Sequence, residues 1–216
     1  MLNSFDLKEF INNIIFYLPV LLISLTAHEV SHGFAAYKLG DKTAKYDGRL
    51  SFNPIRHIDP MGFICMIASN FRFGWAKPVM VNPNNLKNPK VDMALISAAG
   101  PASNLVLAFV TMMILYPLRL SYSSVVYTLL INLILVNISL CVFNLIPFPP
   151  LDGSKIFAGL LPNKYYYRLP RLGQASMLIL MVLVFTGVVG GILWPMITFV
   201  FNQMHNLVSL IYRPFI

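Results

Sequence analysis

The residues best suited to chemistry stand in "HEVSH", His28 to His32. Residues four apart on a helix share a face, so His28 and His32 can present two imidazoles to one metal ion. Glu29 follows the first histidine and can act as general base toward water that the metal activates. This His-Glu-x-x-His spacing is the pattern of zinc metallohydrolases, where a catalytic ion usually keeps three protein ligands and one open position. The third ligand must come from elsewhere in the chain. Position 38, six after His32, is Lys38, and the glutamates are Glu9 and Glu29 alone. What remains is His57, His205 or an aspartate among Asp41, Asp47, Asp59, Asp92 and Asp152. Most of these lie in basic, polar stretches where a solvated or turn role is the default. Asp152 differs, because "FNLIPFPPLDGSKI" (Phe143 to Ile156) follows directly on an apolar run. Pro147, Pro149 and Pro150 cannot continue a regular helix, and Gly153 permits a sharp turn after the aspartate. A helix-end or turn role is the plain alternative for Asp152. "HID" at His57 to Asp59 reads as a turn before Pro60 rather than as a second metal site.

These groups need elements to hold them, and the composition says which kind. The 216 residues are 57% hydrophobic and 11% charged, whereas an average soluble domain is about 25% charged. Mean hydropathy is +0.68. The chain therefore belongs with integral membrane proteins. Four segments can cross about 30 Å of hydrocarbon, which takes roughly 20 helical residues. They are Phe10 to Tyr37, Met93 to Pro117, Ser123 to Ile146 and Gln174 to Phe201. The apolar patch Met61 to Ser69 is too short to cross and is expected to form a re-entrant or irregular segment. The expected fold is an all-α polytopic membrane protein of about four spans, forming one membrane-embedded domain over residues 1–216. The N-terminus lacks the pattern of a cleaved signal peptide, so the first apolar segment is expected to stay as a helix. Cys65 and Cys141 lie far apart in apolar sequence and indicate neither a thiolate zinc site nor a disulfide framework.

Charge gives an orientation. Nine basic residues lie between the first and second spans and four between the third and fourth; Lys8, Arg119 and Arg213 are the other three. The positive-inside rule makes the crowded side cytoplasmic. His28 then lies about ten residues, or roughly 15 Å, from the cytoplasmic end of its helix. The net charge of +8 is assigned to loops facing anionic lipid rather than to nucleic acid. Small residues in "SAAGPASN" (Ser97 to Asn104), and Gly187 with Gly191, suit close helix packing. "YYY" at Tyr165 to Tyr167 suits an interfacial aromatic belt.

"HEVSH" in one apolar segment, "AAGPASN" in the next and "NLIPFPPLDG" after the third resemble the site-2 protease family of intramembrane zinc metalloproteases. "NPIRHIDPMG" and "FGWAKPVMVNP" between them resemble its short prokaryotic branch, which lacks PDZ and nucleotide-sensing modules. The resemblance runs from about Thr26 to Gly153. It implies one Zn2+ held by His28, His32 and Asp152, with Glu29 as catalytic base. It also implies a place for Asn144 near the substrate or the reaction centre. The implied substrate is a transmembrane or membrane-associated protein, and the implied location is a prokaryotic cell membrane, with the site nearer the cytoplasmic side.

Such a substrate hides its peptide bonds inside a helix and must be unwound before cleavage. "FGWAKPVMVNP" (Phe71 to Pro83) could offer a small β edge to the freed backbone by strand addition; a simple interfacial loop is the alternative. Asn144 could donate to the developing oxyanion or simply join two helices. The rival to a protease is an ion or metal transporter, or a non-catalytic metal-binding membrane protein, using intramembrane His, Glu and Asp. A transporter has no special need of Glu29 between two same-face histidines, and the paired repeats with broken helices common in transporters are not found.

Overall fold

The computed structural model describes residues 7–71, 74–162, 164 and 173–215. Eight α-helices occur among them, in the order α1 Leu7–Lys38, α2 Thr43–Tyr46, α3 Pro60–Ala68, α4 Pro89–Leu118, α5 Val125–Asn144, α6 Asp152–Leu160, α7 Gly173–Phe185 and α8 Val188–Tyr212. Short 3-10 turns cover Pro54–His57, Pro83–Asn85 and Arg213–Phe215. The protein is all-α and polytopic. Phe10–Lys38, Pro89–Leu118 and Val125–Asn144 are each long and apolar enough to cross a membrane.

The distribution of side chains is that of a molecule solvated by lipid. On α1 the buried stripe is Val20, Ser24, His28, His32 and Ala36, one residue per turn. Ile11, Ile15, Ile23 and Phe34 on the same helix are exposed. On α4 the inward row is Ile96, Gly100, Asn104, Ala108 and Met112, while Leu95, Val106 and Val110 face out. The i, i+4 spacing of both rows puts each on one helix face. Water would reverse the pattern; hydrocarbon favours apolar groups outside and satisfied polar groups within. The apolar core joins α4, α5 and α8 through Ala108, Met112, Ile134, Ile138, Val142, Leu193, Ile197 and Val208.

The fourth expected span, Gln174 to Phe201, is not one helix. It is α7 and the first half of α8, bent by 74°. Gly187 stands at the break with φ +79°. Only glycine takes that left-handed conformation without strain, and it ends a right-handed helix. α8 then continues past the expected end to Tyr212. The short apolar patch is α3, whose nine residues reach about 14 Å, less than half a bilayer core. Asp59 caps it by accepting from the Gly62 amide at 2.9 Å, with Pro60 in the first turn. That is a turn role. The Tyr165–Tyr167 run lies outside the described residues.

The expected β edge is reduced to one antiparallel bridge, Ile58 with Ala76, beside a bond from the Lys77 amide to the His57 carbonyl at 2.8 Å. No strand occurs among the described residues. Pro78 and Pro83 lack amide hydrogens, so a longer ladder is not available. The segment is nevertheless fixed at both ends. Beyond Lys38, Asp41 is fully buried and accepts from Thr43 N and Oγ1, from Asn82 N at 2.7 Å and from Asn85 Nδ2 at 2.8 Å. Burial alone would raise its pKa, but the donors of Asn85, Thr43 and Asn82 outweigh burial and hold it below the ordinary carboxylate value.

A group with a depressed folded pKa stabilises the fold above its unfolded pKa, about 3.9 for Asp, and loses that contribution as pH falls through the folded value. Asp41→Asn is therefore expected to cost about 1–3 kcal/mol at pH 7. The gap between thermal melts of the two proteins in detergent should hold down to about pH 4 and narrow only below it. An equal gap at pH 7 and pH 3 would show that the carboxylate charge is not what matters.

Candidate metal centre

α1 and α4 approach closely where Gly100 faces the two histidines. A Cβ at Gly100 would lie 2.4 Å from His32 Nε2 and 2.6 Å from His28 Cε1. The small residues of "SAAGPASN" thus leave room for imidazoles as well as for helix packing. α6 completes the group from the far end of the sequence. The chain turns out of α5 through Leu145–Leu151 and starts α6 at Asp152. Gly153 is helical here, not a left-handed turn. Its need is for space: a Cβ would come within 2.3 Å of the Leu145 carbonyl oxygen and 2.4 Å of that of Ile146.

The structure brings His28, His32 and Asp152 together, all buried. His28 Nε2 lies 3.2 Å and His32 Nε2 3.1 Å from Asp152 Oδ2, and the two Nε2 atoms are 3.0 Å apart. Their far sides fix the tautomers. His32 Nδ1 is 2.7 Å from the Ile96 carbonyl, which only accepts, so Nδ1 carries the proton. His28 Nδ1 is 2.6 Å from Asn104 Oδ1. Asn104 Nδ2 donates to the Ser24 carbonyl at 3.2 Å and to Asn137 Oδ1 at 2.7 Å. Asn137 Nδ2 donates in turn to Ser24 Oγ at 2.8 Å and to the Leu133 carbonyl at 2.7 Å. Backbone carbonyls at the ends of this network set its direction, so Asn104 Oδ1 must accept from His28 Nδ1.

With both imidazoles neutral, as metal-ligating histidines are, each Nε2 points a lone pair at a carboxylate oxygen and no proton lies between the three. Three acceptors about 3 Å apart repel one another unless a cation lies among them. A tetrahedral zinc ion with bonds of about 2.0–2.1 Å spaces its ligand atoms roughly 3.3 Å apart. The donor set thus fits such an ion in number, chemistry and spacing. Oriented imidazoles with their other nitrogen bonded to a carbonyl or carboxamide are the usual surroundings of a metal-binding histidine. Lys155 Nζ lies 3.9 Å from the other Asp152 oxygen, Oδ1, and is half exposed.

Glu29 is half-buried and its Oε2 accepts from the Val79 amide at 2.8 Å. The "PVMV" segment thus lies against the proposed base, a long-range contact that spacing along the chain does not reveal. Asn144 ends α5 and donates from Nδ2 to Leu140 O at 3.0 Å, a bond within its own helix. It does not join two helices by that bond. Among the other ligand candidates, Asp41 and Asp59 hold backbone amides as described, and Asp92 accepts from the Asn88 amide at 2.9 Å. His57 Nε2 is bonded to the Ser51 carbonyl at 2.8 Å. His205 packs on Tyr116 and Phe201, away from the cluster. Sequence reasoning missed Asn104 and Asn137. The available signal was a pair of carboxamides inside apolar helices, where each demands a partner.

Comparison with known proteins agrees with this arrangement. The model of peptidase family M50 matches residues 119–189. "Putative zinc metalloprotease YwhC" of Bacillus subtilis is 37% identical over 201 residues, covering 90% of this chain and 91% of that protein. "Putative zinc metalloprotease Rip2" of Mycolicibacterium smegmatis is 28% identical over 168 residues, 76% of this chain and 64% of that protein. The zinc metalloprotease MJ0392 of Methanocaldococcus jannaschii is 28% identical over 159 residues, but the match spans only 38% of its length. No solved structure matches the chain at a significant level. With a relative of this identity matched over nearly its whole length, the chain belongs to peptidase family M50, the site-2 proteases.

Proposed function

We propose that this protein is a zinc-dependent endopeptidase that hydrolyses peptide bonds of transmembrane or membrane-associated proteins within or near the bilayer. One observation carries the reading. Two imidazole lone pairs and a carboxylate oxygen converge at 3.0–3.2 Å on helices whose outer faces suit lipid. His28, His32 and Asp152 would hold one zinc ion per chain. When bound, zinc supplies Lewis acidity toward a carbonyl and lowers the pKa of water toward neutrality.

The chain's own residues do the rest. Glu29 takes the proton of the attacking water and returns it to the leaving nitrogen. Val79 N–H occupies Oε2, which leaves Oε1 for the proton. The extended stretch around Val79 lies beside the base and suits an unwound peptide that needs backbone partners. Asn144 would exchange its Leu140 bond for the substrate carbonyl and stabilise the oxyanion. The basic side of the membrane is cytoplasmic in this reading. The site lies nearer that side, and residues 1–216 act as one domain.

The test uses the purified protein in detergent or liposomes with single-span substrate proteins. Stripping metal with a chelator should abolish cleavage, and zinc, not magnesium or calcium, should restore it. Cleavage that persists after zinc is removed, checked by elemental analysis, would overturn the proposal.

A further inference from the structure

A cavity of about 520 Å3 lies among α1, α3, α5, the α7–α8 break and the turn from Pro54 to Asp59. Leu22, Leu25 and Thr26 line it from α1. Glu29 follows on the same helix face, at i+7, i+4 and i+3 from them. The walls are mostly apolar, including Trp75, Leu140 and Leu193. Thr26, His57, Asp59 and Ser139 depart from that, and two of them carry an unpaired atom. Thr26 is 4% and His57 2% exposed, and Thr26 Oγ1 and His57 Nδ1 are buried without a hydrogen-bond partner.

Both unpaired atoms are specific. Ser24, Ser31, Thr111 and Ser139 all donate to the carbonyl four residues back, the usual resort of a hydroxyl on a membrane helix. Thr26 does not, and its hydroxyl is left to donate. His57 gives its Nε2 proton to the Ser51 carbonyl, so Nδ1 is a bare acceptor. Leaving such groups unpaired costs about 1–3 kcal/mol each. A lipid chain has neither acceptor nor donor to offer them. An unwound peptide has one of each at every residue.

We propose that this cavity is a specificity subsite. It takes a bulky apolar side chain of the substrate near the scissile bond, while Thr26 and His57 meet the carbonyl and amide of the same peptide stretch. The inference rests on the endopeptidase reading above. Its volume falls in the range of small-ligand sites, roughly 300–1,000 Å3. Gly190 lines it while exposed, and a Cβ there meets nothing within 4 Å. The mouth is therefore open to a filling side chain. Gly191, next along, is equally open but does not line the cavity.

The experiment compares wild type, Gly190→Phe, Gly191→Phe and Thr26→Val on single-span substrates carrying Ala, Leu or Phe at successive positions around the cut. Wild type should prefer Leu or Phe at one position. Gly190→Phe should lower kcat/KM for the bulky residue against Ala by on the order of 10-fold or more, and Gly191→Phe should keep the wild-type preference. Thr26→Val removes a hydroxyl with no partner, so folding should be unharmed. A rise in KM with an unchanged melting temperature then reports a lost substrate contact. If wild type cleaves nothing, the endopeptidase reading falls and takes the subsite with it. If wild type cleaves and Gly190→Phe keeps the same size preference, the subsite alone is refuted. Should Gly190→Phe lose all cleavage while holding zinc, Thr26→Val decides: an unaltered KM rejects the proposal.

Discussion

Glu29→Gln is expected to lose cleavage by about 10²- to 10⁴-fold, the usual worth of a positioned general base, while the purified protein keeps its zinc. The two halves of this expectation come from separate facts. Glu29 contributes no atom to the converging group of His28, His32 and Asp152, so metal affinity should survive. Gln keeps the length of the side chain and a carbonyl oxygen able to accept from Val79 N–H. The neighbouring segment should therefore stay in place, and only the basic oxygen is lost. Zinc is measured by elemental analysis and cleavage on the same preparation. Equal turnover by both proteins would remove Glu29 from the reaction. Joint loss of zinc and cleavage would instead make it part of the metal site.

Gly100→Ala should do the opposite and damage metal binding first. Its new Cβ would fall 2.4 Å from His32 Nε2 and 2.6 Å from His28 Cε1, closer than any van der Waals contact. The imidazoles cannot simply retreat. His32 is held from behind by the Ile96 carbonyl, and His28 by Asn104. Relief must come from breaking one of those bonds or from separating α1 and α4. Loss of an orienting contact typically costs 10–100-fold in metal affinity, and overpacking adds about 1–3 kcal/mol of instability. A competition titration with a zinc chelator, run beside a thermal melt, measures both. Wild-type zinc affinity in Gly100→Ala would mean that the helices are looser here than the geometry indicates.

Parts of this were readable from the sequence because the signals are local. The length of apolar runs marks α1, α4 and α5. Helix periodicity alone puts His28 and His32 on one face, and three prolines with Gly153 flag Asp152 after α5. The start of α4 at Pro89 rather than near Met93 reflects a proline that opens a helix, which hydropathy does not register. The break before α8 was hidden because Thr186–Gly187 sits within an unbroken apolar run. Three glycines lie within five residues there, and only Gly187 adopts positive φ. The contacts of Val79 with Glu29 and of Asn104 with His28 join residues 50 and 76 apart. No spacing rule reaches that far, so the pinning of the base and of the first imidazole could not be read.

The separation of 124 residues between His28 and Asp152 also bears on how the protein is made. α1 enters the membrane before α4 and α6, carrying His28, Glu29 and His32 within its apolar stretch. Such groups are costly in hydrocarbon until they are paired. Asn104 and Asp152 do not yet exist at that moment. At synthesis rates of about 5–20 residues per second, the partner carboxylate follows the first histidine by roughly 6–25 s. During that interval the insertion machinery, or water held beside it, must shelter the polar face of α1. In a chain truncated before Asp152 the imidazoles of α1 never gain that carboxylate partner.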